Sequence, residues 1–119
     1  MAIVNVYLTF DGKCEEAFQF YQSVFGGEIP HWGRFGEMPL EEGMSPLSDE
    51  MKRRIMHVTL PISAETMLMG SDSISGMHQI TKGNNFSLSL DAKSREEADH
   101  LFANLSEDGN VTMPLADTF

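Results

Sequence analysis

The sequence predicts an α+β fold, a single domain over residues 1–119 built on a repeated strand and helix plan. Three observations carry this. Short segments alternate apolar and polar residues with the period of a half-buried strand. Two longer segments place apolar residues at helical spacing. An offset of about 80 residues superposes the first half on the second.

Along Ile3 to Phe10, Val4, Val6, Leu8 and Phe10 share one face and Asn5, Tyr7 and Thr9 the other, as a half-buried strand requires. Asp11 and Gly12 break it. Cys14, Ala17, Phe18, Tyr21, Val24 and Phe25 then recur at helical spacing, with Glu15, Glu16, Gln19 and Gln22 opposite, and Gly26 and Gly27 supply a stop. Glu28 to Trp32 reads as a short strand, with Pro30 confining it to an edge or bulge. Residues 33–50, rich in glycine, proline and acid without a sustained period, read as a long loop or lid. In Arg54 to Ile62, Met56, Val58, Leu60 and Ile62 alternate with Ile55, His57 and Thr59. A turn at Ser63, Ala64 and Glu65 leads to a hairpin strand in "TMLMG", and residues 71–84 form a second loop. Phe86, Leu88 and Leu90 alternate with Ser87, Ser89 and Asp91. Ser94 and Glu97 form a capping box ahead of a helix carrying Ala98, Leu101, Phe102 and Leu105, and Val111 to Leu115 resume extended structure beyond Gly109.

The repeat reaches individual residues. Asp11 and Lys13 fall on Asp91 and Lys93; with one residue inserted, Glu15, Glu16, Ala17, Tyr21 and Val24 fall on Glu96, Glu97, Ala98, Phe102 and Leu105. Two generic strand and helix units, each with an acidic first turn, would share part of this match. Read as a true repeat, the first module spans about 3–72 as βαβββ, and the second, about 85–119, stops after strand, helix and strand, as though truncated or completed by a partner chain.

Composition limits the partners. The net charge of −10 repels phosphate backbones and anionic lipid, so neither nucleic acid nor a membrane is expected. With 41% hydrophobic residues the chain is too apolar for a disordered acidic tail. One cysteine forms no intrachain disulfide, no apolar run reaches membrane-spanning length, and the first residues lack the pattern of a signal peptide, so a cytoplasmic protein is expected.

The segments "VYLTFDGKCEEAFQFYQSVFGGEI", "IMHVTL", "LMGSD" and "NNFSLSLDAKSREEADHLFANLSEDGNVTMPLADTF" together resemble the PhnB-like branch of the vicinal oxygen chelate superfamily, which includes glyoxalases, bleomycin-resistance proteins and dihydroxybiphenyl dioxygenases. The resemblance spans nearly the whole chain. It implies paired βαβββ modules in an open, mostly antiparallel curved sheet with helices outside and a cavity within, and a homodimer. Metal-dependent relatives take one His, Gln or Glu from each of four matched strands. By that match His57 stands at one ligand position, Asn85 at another and Asn5 at or beside a third, while the fourth would lie on a strand absent from this sequence. Asparagine is a poor ligand for zinc or iron, so no complete metal site, and no cofactor, is expected; a divalent ion is the alternative.

Strand parity gives its own view of the cleft. It places Asn5, Tyr7, Thr9, His57, Thr59, Asn85 and Ser87 on the face away from the helices, as candidate ligand contacts, with His57 the candidate catalytic base. Each has a plainer reading: His57 as a hydrogen-bonded strand histidine, Tyr7 as a rim residue, Asn85 as a turn cap. Cys14 reads as inert core. His31 beside Trp32 points to the cavity mouth, His78 to a loop and His100 to a solvated helix face. Met38, Met44, Met51 and Met77 in the loops suit either an apolar ligand or packing, and Arg34, Lys52, Arg53 and Arg54 either an anion or solvent.

Three functions compete. One is metal-free binding of a small organic molecule. Another is lyase, isomerase or dioxygenase chemistry using His57. The third follows from kindred families described as ubiquinone-pathway methyltransferases, although this chain has neither a glycine-rich strand-to-helix loop nor a doubly wound plan.

Overall fold

The computed structural model of the chain describes residues 2–38, 46–74 and 79–116. It divides into two compact units, Met1–Lys82 and Gly83–Phe119.

The first unit runs β1 (Val6–Phe10), α1 (Cys14–Phe25), β2 (Trp32–Arg34), a 3-10 turn (Phe35–Glu37), α2 (Asp49–Arg53), β3 (Ile55–Pro61) and β4 (Met67–Asp72). This is an α+β module of βαβββ type. Its four strands form one open mixed sheet in the order β1-β4-β3-β2, with β1 parallel to β4 and the other pairs antiparallel. The apolar stripe of α1 follows its helical spacing, burying Cys14, Phe18 and Val24. Phe18 meets Ile55, Val58, Leu60 and Leu68 in the core, and its ring stands edge-on to Phe10 at 6.3 Å and Tyr21 at 5.6 Å. Gly70 admits this ring: a Cβ there would lie 2.6 Å from Phe18 Cε1. Gly26 and Gly27, at φ 76° and 82°, end the helix in a region that side chains disfavour.

Three expectations are corrected here. The second strand lies at Trp32–Arg34 and not at 28–32, because Pro30 has no N–H to donate and the ladder starts only where Trp32 meets Val58. The segment read as a long loop holds the 3-10 turn and, at its end, the start of α2, a single turn capped when Ser48 Oγ accepts from the Met51 N–H at 3.2 Å. Ile55 is fully buried and does not share the face of His57. A bulge at Gly33 and Arg34 shifts the register, pairing Arg34 with Ile55 and turning that residue into the core.

The second unit holds α3 (Arg95–Ser106). Ser94 Oγ accepts from the Glu97 N–H at 3.1 Å, and Glu97 Oε1 accepts from the Lys93 N–H at 2.9 Å, so the expected box closes one residue early. Ala98, Leu101, Phe102 and Leu105 are half-buried. The segments 86–91 and 111–115, expected as strands, join no hydrogen-bonded sheet among the described residues, and Phe86, Leu88, Val111 and Met113 stay exposed. Alternation sets which face a strand would present, but a ladder also needs a partner edge.

Candidate functional site

The sheet face opposite α1 carries the candidate site. Period-two alternation sends Val6, Leu8 and Phe10 to the helix and leaves Tyr7 and Thr9 exposed. On β3 it buries Val58 and Leu60 and turns His57 and Thr59 outward. Because β4 lies between β1 and β3, the register runs Tyr7, Met69, Thr59 across three strands. The Tyr7 phenol spans β4: its hydroxyl lies 3.4 Å from His57 Nδ1, with ring centroids 5.8 Å apart. On the other side of the imidazole, His57 Nε2 lies 3.0 Å from Thr59 Oγ1. Both ring nitrogens therefore have a hydroxyl partner. Gly33, in register with His57 on β2, adds no side chain, and a Cβ there would lie 3.1 Å from the His57 carbonyl oxygen.

Three of the expected residues, Tyr7, His57 and Thr59, thus form one hydrogen-bonded cluster, and Thr9 shares their face. Asn5 has a backbone role: its Oδ1 accepts from the Met67 N–H at 3.0 Å, holding β4 to the chain just before β1. Asn85 and Ser87 belong to the second unit, where both are exposed. His31 is paired with Glu37 at 3.2 Å, and His100 lies 3.2 Å from the side-chain amide of Asn104 on α3. His78, Met44 and Met77 lie outside the described residues. Met69, in the middle of the cluster, and Asp72 were not singled out by the sequence. Counting by twos from Leu68 puts Asp72 in phase with the core, and a charge in that phase was the available signal.

Asp72 belongs to a different network, on the core side. Its carboxylate is almost fully buried. Oδ1 accepts from the N–H groups of Gly12 and Cys14 at 2.9 and 3.0 Å, and Oδ2 from that of Ile55 at 2.9 Å. Nearby, Arg34 binds Glu15 through two contacts of 3.0 and 2.9 Å, and its hydrogen bond holds the Glu15 carboxyl below the usual carboxylate range. Arg54 joins Asp11 at 2.8 Å, Glu50 at 3.2 Å and the carbonyl of Ser73 at 2.7 Å. Glu15, Arg34, Glu50, Arg54 and Asp72 line a cavity of about 510 Å³. Asp72 and Arg34 are engaged there, and Arg54 is engaged through its two Nη atoms while its Nε is buried without a partner among the described residues, so most of the lining reads as a structural ion network. Cys14 is fully buried beside it. Burial, with Asp72 and Glu15 near, pushes its thiol up to about 12, which makes it an inert core residue.

Among the described residues no three His, Cys, Asp or Glu side chains are grouped so that they could hold a metal ion. The donor set around His57, one imidazole with a phenol and a hydroxyl, does not suit zinc or iron.

The family described as "3-demethylubiquinone-9 3-methyltransferase" matches residues 2–116. The chain belongs to this family. The family is glyoxalase-like, of the vicinal oxygen chelate type. Protein YjdN of Escherichia coli K12 is 30% identical over 121 residues, which cover 98% of this chain and 80% of that protein. The crystal structure of protein PA1353 from Pseudomonas aeruginosa is similar with a TM-score of 0.80 and 34% identity, covering 99% of this chain and 82% of that one. No helix among the described residues is long and apolar enough to cross a membrane.

Proposed function

We propose that this family member binds a small organic molecule on the open face of its first sheet, without a complete metal centre, and acts as a PhnB-like, cytoplasmic homodimer. The observation that carries the binding site is the cluster itself: Tyr7, His57 and Thr59, remote in sequence, are joined by hydrogen bonds on an exposed surface with Met69 in register at its centre. A fold needs no such linkage on its solvent side. Polar groups converging on an apolar floor are what a ligand with one or two hydrogen-bonding atoms requires.

Chemical-shift mapping tests the site with a panel of small phenols, ketones and amides. Shifts are expected at residues 7, 9, 57, 59 and 69, and His57→Gln should abolish them. Hits that map elsewhere, or that survive His57→Gln unchanged, overturn the reading.

The family description favours a second reading. It names a methyltransferase acting on 3-demethylubiquinone-9, which makes catalysis the alternative, with His57 as base or as one ligand of a divalent ion. Metal analysis of chelator-free protein separates the two. One equivalent of metal that is lost in His57→Ala would replace the metal-free reading.

A further inference from the structure

We infer that Thr59 is a positioning residue that locks His57 in the tautomer protonated at Nε2, so that Nδ1, reached through Tyr7, is the site's proton acceptor. This rests on the binding reading above but is tested without a ligand.

Two hydrogen-bond directions fit the heavy atoms. Either Tyr7 donates to Nδ1 and Nε2–H donates to Thr59, or Thr59 donates to Nε2 and Nδ1–H donates to Tyr7. Acidity chooses between them. A phenol is the better donor and the poorer acceptor, and an aliphatic hydroxyl is the reverse, so the first direction matches strong donor with ring acceptor and ring donor with strong acceptor. The distances fit either direction, so the choice rests on acidity. The 3.0 Å contact to Thr59 is the firmer of the two, and it joins residues two apart on one strand, whose alternation already aims both side chains the same way.

The arrangement has a chemical consequence. A ligand that presents an acidic hydroxyl to the exposed Tyr7 oxygen can pass its proton there while Tyr7's own proton moves to Nδ1. The ligand is left as its anion and His57 as an imidazolium, held by Nε2–H to Thr59. Atoms and charge balance, and no other reactant is needed. The ligand class this selects is an organic molecule with an enol-like or phenol-like hydroxyl.

The test is long-range nitrogen–proton NMR of the imidazole in ligand-free protein, read on the alkaline plateau of its signals and assigned with His57→Gln. Nδ1 is expected to show an unprotonated, pyridine-like shift and Nε2 a protonated, pyrrole-like one. Thr59→Val, which keeps the shape and removes the acceptor, should move the tautomer ratio toward Nδ1–H by roughly fivefold, the effect of one net hydrogen bond. Thr59→Ser should restore it, which a purely structural role for Thr59 would not require. Dispersed amide spectra of each variant confirm folding. A wild-type protein protonated at Nδ1, or a ratio that Thr59→Val leaves unchanged, overturns the inference. Failure of the small-molecule panel to bind would overturn only the proposed function.

Discussion

The three backbone N–H groups on Asp72 show how much one side chain does in this fold. The carboxylate ends β4, seals the turn into α1 through Gly12 and Cys14, and holds the start of β3 through Ile55. Asp72→Asn keeps the size but replaces one oxygen with an NH2 group, which sets donor against donor at one of these amides. A buried donor left without its charged acceptor costs about 3 kcal/mol, so urea unfolding should show a loss of that order. A change below about 0.5 kcal/mol, the range of neutral surface substitutions, would mean the network is redundant. Cys14, where that turn enters α1, gives a pH prediction. Its folded thiol is held protonated up to about 12, against an ordinary 9.0. The folded state thus binds the proton more tightly than the unfolded one. The contribution is fully present below pH 9 and is lost as pH rises toward 12. Denaturant titrations from pH 8 upward should show stability falling, and Cys14→Ala should flatten that fall. Below pH 9 the thiol should resist alkylation until the protein unfolds.

At the scale of elements, what the sequence shows depends on whether an element carries its own period. In α1 the residues Cys14, Phe18, Tyr21 and Val24 write the buried face directly, and from Val58 onward β3 shows its face by alternation, whereas the apolar run of β4 marks a strand without marking its face. Alternation also puts Tyr7, Thr9, His57 and Thr59 on one face. It says nothing of the β1-β4-β3 order that brings Tyr7 to His57 across 50 residues, because pairing order is set by tertiary packing. The bulge that buries Ile55 is likewise invisible until β2 is in register. In α2 no period exists to read. Five residues cannot sustain a helix alone, so the turn depends on what holds its ends: the Ser48 cap, Arg34 donating to the Arg53 carbonyl at 2.8 Å, and Arg54 reaching Glu50. Arg54→Gln should therefore loosen α2 selectively. Amide exchange at Glu50–Arg53 is expected to rise roughly fivefold, the effect of about 1 kcal/mol, with β3 and β4 amides unchanged. Equal acceleration in the strands would show that Arg54 supports the whole unit.

At the scale of the molecule, the two units differ in what holds them. The first has a continuous core in which Phe18, Ile55, Val58 and Leu60 are fully buried. The second buries no residue of α3, and its described segments on either side of that helix expose Phe86, Leu88, Leu90, Val111, Met113 and Leu115. Apolar burial is the main favourable contribution to folding, so local stability should follow this difference. Native-state hydrogen exchange is expected to show β3 and β4 amides opening only with global unfolding, and α3 amides exchanging at least about tenfold faster through local opening. The same measurement tests the proposed homodimer. Two copies, each with a net charge of −10, repel one another at low salt, so association has to come from apolar surface, and the exposed rows around α3 are the richest supply among the described residues. If copies pair there, protection of Arg95–Ser106 should increase with protein concentration and with moderate salt, in step with the mass seen by sedimentation. A chain that sediments as a monomer throughout, with α3 exchange independent of concentration, would remove the homodimer and leave the Tyr7, His57 and Thr59 site to act within a single copy.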